Sequence, residues 1–153
     1  MKRIAMMLVA MMAVAVLGTG IASAGALDEI QKRGKLLVGM EPGYMPFELR
    51  NQKGEIIGFD VDMAKRMAKA MGVELEIVPT AWDGIIPALL TSKFDIIMSG
   101  MTLTQERNMS INFALPYIVI GQTVIVNNKF EGEIKSYKDL NDPKYTVAST
   151  LGT

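Results

Sequence analysis

Between Lys35 and Met98 the chain alternates apolar strands with apolar-faced helices, and few folds accept that order. Residues 35–40 (KLLVGM) are too uniformly apolar for a surface strand. Residues 61–71 set Val61, Ala64, Met67, Ala68 and Met71 at helical spacing, so the methionines fill a core. Residues 73–79 alternate Val73, Leu75 and Ile77 with Glu74 and Glu76, the pattern of a strand with one buried face. Trp82-Asp83-Gly84 then opens a helix over 85–91, with Pro87 expected in its first turn, where a missing N–H costs little. Residues 94–98 form the next buried strand. Strand, helix, strand, helix, strand predicts parallel βαβ units and an α/β sheet. Ligands of such sheets bind beyond the carboxyl ends of the strands. Three loops leave those ends, 41–47, 80–84 and 99–107, and topology alone sends them to one crevice.

The flanks are simpler. Residues 27–33 read as a short helix stopped by Gly34. Residues 47–50 and 55–57 suit a hairpin joined through Asn51-Gln52-Lys53-Gly54. Gly58-Phe59-Asp60 leads into the first long helix, where Asp60 and Asp62 are expected to serve its positive end. Beyond Tyr117, residues 118–126 (IVIGQTVIV) are a long β-rich run, 137–140 a helical turn and 145–148 the start of another strand.

The loop at 99–107 carries the most chemistry. Ser99-Gly100-Met101-Thr102 is a small-residue turn, and Thr104 caps a short helix whose third residue is Arg107. A cation in a first helical turn opposes the macrodipole. Free N–H groups, a hydroxyl and a guanidinium in one place make a receptor for a small carboxylate. The same residues also fit a solvated arginine on a surface helix.

Composition narrows the function classes. Lys and Arg number 16 against 16 Asp and Glu, so no basic excess exists to hold phosphates, and nucleic acid is not an expected partner. The absence of Cys and His removes thiol catalysis, disulfides, Ser-His-Asp triads and the usual zinc ligand sets. No acidic run has the spacing of a calcium loop, and no cofactor is expected. Lys2 and Arg3 precede the uncharged run 4–17; Gly18-Thr19-Gly20 breaks it, and Ala22-Ser23-Ala24 offers a small-residue cleavage site. Residues 1–24 therefore read as a secretory signal peptide cleaved after Ala24, too short to span a bilayer. Without Lys2 and Arg3, the exported product carries 14 basic and 16 acidic residues.

Four ordered blocks then point to a family: GFDVDMAKRMAKAM (58–71), WDGIIPALL (82–90), DIIMSGMTLTQER (95–107) and INFALPY (111–117). With the signal peptide, they resemble the periplasmic amino-acid-binding proteins of ABC importers, the solute-binding proteins of family 3. The resemblance implies the type II periplasmic-binding-protein fold, two α/β lobes closing by a hinge around a free amino acid. It implies lobe 1 over 25–116, a crossover strand over 117–126 and the start of lobe 2 over 127–153. It further implies a monomer that hands its ligand to an inner-membrane ABC permease.

The resemblance also assigns roles. Arg107, in the T-x-x-R turn, would hold the ligand α-carboxylate bidentately, assisted by Thr102. The carbonyl of Gly100, next to Ser99, would accept a proton from the α-ammonium. Tyr44 and Trp82 would wall the ligand, Glu41 would meet a basic side chain, and Gly152 with Thr153 would open the carboxylate site of the second lobe. Family members usually run roughly another hundred residues, so the chain is expected to be truncated and to hold ligand weakly, since losing one partner of a buried charged contact costs about 2–5 kcal/mol. Two alternatives share the scaffold: a periplasmic enzyme like cyclohexadienyl dehydratase, and the sensory domain of a receptor.

Overall fold

The computed structural model describes residues 25–151. The expected signal peptide and the residues Gly152 and Thr153 lie outside this range. Helix α1 (Ala26–Arg33) ends at Gly34, which turns left-handed at φ 73° and returns its N–H to the carbonyls of Ile30 and Gln31. Strand β1 (Lys35–Met40) follows. A small antiparallel sheet comes next, made of β2 (Gly43–Tyr44), β3 (Glu48–Arg50) and β4 (Ile56–Ile57), with Leu49 opposite Ile57 and Arg50 opposite Ile56. The chain continues through α2 (Phe59–Met71), β5 (Glu74–Pro79), α3 (Trp82–Leu90), β6 (Ile96–Ile97) and the single turn α4 (Gln105–Asn108).

The main sheet has the order β5-β1-β6 and is wholly parallel, as the alternation requires. Val38 lies opposite Ile77 on one side and Ile96 on the other. The period of two along β1 supplies both faces with core. Leu36, Val38 and Met40 join Ile30, Val61, Ala64, Ala68 and Met98 on the side of α1 and α2. Leu37 packs toward Ile85, Ala88 and Phe94 on the side of α3. Gly39 admits the Phe94 ring, which stands 2.4 Å from where a Cβ would lie. Met67 and Met71 pack against the first cluster, as their spacing predicted, and Met63 joins them.

Several expectations are corrected. Helix α2 begins at Phe59, two residues early, because Gly58 at φ 134° lets the chain pass against the Phe47 carbonyl, where a Cβ would stand at 2.3 Å. No side chain caps this helix. Asp60 is fully buried instead and turns its carboxylate toward Gly100 and Tyr117. Helix α3 starts at Trp82, so Pro87 falls inside it rather than in its first turn. Strand β6 is two residues long, although Asp95 and Met98 on either side still donate to the β1 carbonyls of Leu37 and Gly39. Residues 118–126 and 145–148 form no strand among the described residues. A β-prone run becomes a strand only by pairing with another, and neither segment pairs with one among the described residues. The turn expected at 137–140 is present as a 3₁₀ turn, Tyr137–Asn141.

Candidate functional site

Because β5, β1 and β6 run parallel, their carboxyl ends share one edge, and the three loops that leave it meet. The Glu41 N–H donates to Ser99 Oγ at 2.9 Å, joining the first loop to the third. The Tyr44 ring lies over Gly100, within 2.7 Å of the position a Cβ would take, and Gly100 occupies the left-handed region at φ 54°. Both facts make glycine the residue that fits there. The Arg107 guanidinium lies 5.4 Å from the centre of the Trp82 ring, joining the third loop to the second. That distance suits a cation–π contact. A hollow of about 140 Å³ opens between Trp82, Asp83, Ile85, Ile86, Met101 and Arg107.

Local chemistry sets Arg107 in place. Thr104 caps α4 by accepting the Arg107 backbone N–H at 3.2 Å, as predicted. Arg107 Nη1 donates to the Thr102 carbonyl at 3.0 Å, which folds the side chain back over its own turn. Two of its constraints are thus internal, and the planar fork is held in advance of any ligand. Thr102 is exposed beside it, and Trp82 packs against the α3 core with one side toward Arg107.

Of the residues expected to touch ligand, Arg107, Thr102, Gly100, Tyr44, Trp82 and Glu41 lie in the converging loops. Ser99 is placed differently: it is 1 % exposed, and its hydroxyl both accepts from Glu41 and donates to Glu48 Oε1 at 2.5 Å. It braces the turn from beneath. Thr153 lies outside the described residues.

Beneath the turn sits a group of side chains whose burial the sequence did not signal. Glu48 and Asp60 are both 0 % exposed. Asp60 Oδ2 accepts from the Gly100 N–H at 2.8 Å and from the Tyr117 hydroxyl at 2.9 Å. Burial pushes the Glu48 carboxyl up to about 7, the Ser99 hydrogen bond opposes this, and the negative charges of Asp60 and Glu41 add to it. Burial and the Asp60 charge also raise the Tyr117 hydroxyl, which stays protonated. Tyr44, Phe47, Phe59 and Tyr117 form a row of ring contacts, with centroids 5.0, 6.3 and 6.1 Å apart, that ties the first loop to the segment after α4. An acid in a hairpin (Glu48) and one in a first helical turn (Asp60) carry no periodic signal of burial, so pattern alone does not find them.

The arrangement is an α/β lobe presenting preset polar groups at the carboxyl edge of its sheet, the form of a small-molecule receptor. Residues 36–142 match the bacterial extracellular solute-binding proteins, family 3, and the chain belongs to that family. It is 37% identical over 132 residues to the L-cystine-binding protein TcyJ of Escherichia coli (strain K12), covering 86% of this chain and 49% of that protein. It is 34% identical over 131 residues to the cyclohexadienyl dehydratase of Pseudomonas aeruginosa, with the same coverage of 86% and 49%. The chain thus spans about half the length of the curated relatives it matches. Among solved structures, the ancestral amino acid-binding protein AncCDT-1, a precursor of cyclohexadienyl dehydratase, superposes with a TM-score of 0.82 at 53% identity, over 84% of this chain and 57% of that one. A lysine complex of a putative ABC-transporter binding component from Wolinella succinogenes gives 0.74 at 59% identity, over 78% and 52%. The arginine-bound domain 1 of TmArgBP, an arginine-binding protein of T. maritima, gives 0.58 at 53% identity, over 59% and 71%. The fold is accordingly that of the amino-acid-binding proteins, of which this chain covers part.

Proposed function

We propose that the chain is the amino-acid-capturing lobe of an ABC importer's periplasmic binding protein. The observation that carries this reading is the convergence of three loops on Arg107, whose guanidinium is preset between the Thr102 carbonyl and the Trp82 ring. A preset planar fork is the group that a carboxylate pairs with bidentately. Thr102 assists at the carboxylate, the Gly100 carbonyl takes the α-ammonium, and Tyr44 and Trp82 wall the side chain. Glu41, at the rim, favours a cationic side chain, in keeping with the lysine and arginine found in two structural relatives. In this reading residues 25–116 are lobe 1, 117–126 cross to a second lobe and 127–153 begin it, after cleavage behind Ala24, and the permease of the inner membrane receives the ligand.

Weak capture was the expectation from sequence. The arginine-bound single domain of a relative supports measurable binding by one lobe alone. Calorimetry of the chain against the twenty amino acids tests this, with binding of arginine or lysine expected. Arg107→Ala should then remove about 2–5 kcal/mol for every α-amino acid alike. Undiminished binding by that variant would reject the carboxylate role.

The dehydratase relative favours a second reading, an enzyme on the same lobe. Among the described residues the candidate general acids or bases at the crevice are Glu41 and Asp83, because Glu48, although raised to about 7, is sealed beneath the turn. Product formation from a prephenate-like carboxylated ring would establish it.

A further inference from the structure

Among the described residues, Glu48 Oε2 and Asp60 Oδ1 are both fully buried and have no hydrogen-bond partner, while the other oxygen of each carboxyl is engaged. A buried carboxylate oxygen without a donor costs free energy that native proteins rarely leave unpaid. The two orphans sit on side chains that act on one another, and both reach the same Ser99–Gly100 turn. A single proton between them would satisfy both and would remove one of two like charges from a dry site.

We propose that Glu48 and Asp60 share one proton, held between Glu48 Oε2 and Asp60 Oδ1, and that the protonated pair is a positioning device for the Ser99–Gly100 turn. Both ends of the pair reach that turn. Glu48 takes the Ser99 hydroxyl, which in turn accepts the Glu41 N–H, and Asp60 takes the Gly100 N–H. The turn is therefore fixed from below by two carboxyl groups that never meet the ligand. Loss of the proton leaves two buried negative charges facing each other, with Glu41 adding a third nearby and the protonated Tyr117 hydroxyl as a donor to Asp60. The pair must then separate, and the turn moves with it. The idea rests on the amino-acid-capture reading only for its functional consequence; the proton itself belongs to the ligand-free protein.

Carbon-13 and nitrogen-15 NMR on the ligand-free chain separates the two. The Glu48 carboxyl carbon, assigned by its loss in Glu48→Gln, should titrate near neutrality, and the Gly100 amide should shift with the same midpoint. Glu48→Gln, which keeps a donor toward Asp60 but cannot titrate, should abolish the Gly100 transition. Tyr117→Phe removes a donor from the charged form of Asp60 and should move the midpoint upward. Arginine affinity in the same samples should fall as pH rises from about 6 to about 8.5, tenfold for each unit by which binding raises the Glu48 midpoint, and should be flat in Glu48→Gln. An ordinary carboxyl midpoint for Glu48, or a Gly100 amide indifferent to it, would overturn the shared proton. Failure to bind any amino acid would instead reject the capture reading and leave the pair to be decided by the ligand-free titration.

Discussion

At the scale of single residues, Glu48 makes stability depend on pH in a direction opposite to that of a salt-bridged acid. Its carboxyl is raised from an ordinary value of 4.5 to about 7, with burial as the largest cause. Below the ordinary value both folded and unfolded chains hold the proton, and the contribution is whole. As pH rises from about 4.5 to about 7, the unfolded chain releases the proton while the folded one keeps it, so stability falls; above about 7 the loss is complete and constant. The shift corresponds to about 3 kcal/mol. Denaturant unfolding of the wild type and Glu48→Gln at pH 4.5 and pH 8 should show the variant gaining relative stability of that order at the higher pH. Parallel profiles would mean that the folded and unfolded states hold the Glu48 proton alike. The turn at the surface of the site was legible in sequence, Arg107 from its place in a capped turn and Gly100 from its small-residue loop, whereas the roles proposed for Tyr44 and Trp82 came from the family resemblance alone. The residues beneath the turn were not legible. Asp60 looked like a helix-end acid and proves to be a buried tie, and Ser99 looked like a ligand group and proves to be a brace.

At the scale of elements, β1 is the member on which the others depend, since it pairs with β5 on one side and β6 on the other and feeds core to both faces. Leu36 is one of its large buried side chains toward α1 and α2, and is 1 % exposed. Leu36→Ala should cost about 2–5 kcal/mol, read as a fall in denaturation midpoint with an unchanged slope. An effect under about 1 kcal/mol would mean that the α1–α2 face is less tightly packed than its burial indicates. Periodicity announced β5 and α2, each with one apolar face against the core, while the uniformly apolar run of β1 announced a strand that feeds core to both faces. It overestimated β6, whose apolar ends are used differently: Phe94 turns into the space left by Gly39, and Met98 joins the opposite cluster. It also placed the start of α2 too late, since a glycine that permits a close backbone approach leaves no trace in hydrophobic spacing.

At the scale of the whole molecule, the sheet and its three loops form a lobe with two small cores, while the segment after Tyr117 contributes little to either. Val119 and Ile125 are 89 % and 95 % exposed, and Leu115 is 91 % exposed. A groove of about 630 Å³ separates the β6 edge from this segment and is lined by Met67, Ile96, Met98, Phe113 and Ile120. An exposed apolar run with high β-propensity beside an unpaired sheet edge is a template for association. The monomer implied by the family resemblance belongs to chains about twice this length, whereas this chain leaves that surface in water. Sedimentation of the isolated chain should therefore show association that grows with concentration. Lysines at Val119 and Ile125 should suppress it, because charge on an exposed edge opposes pairing. The same double variant should bind arginine as the wild type does, since neither residue lies in the loops around Arg107. A chain that stays monomeric at high concentration would show that the segment folds over the groove in solution, and loss of arginine binding in the double variant would place the segment within the capture site itself.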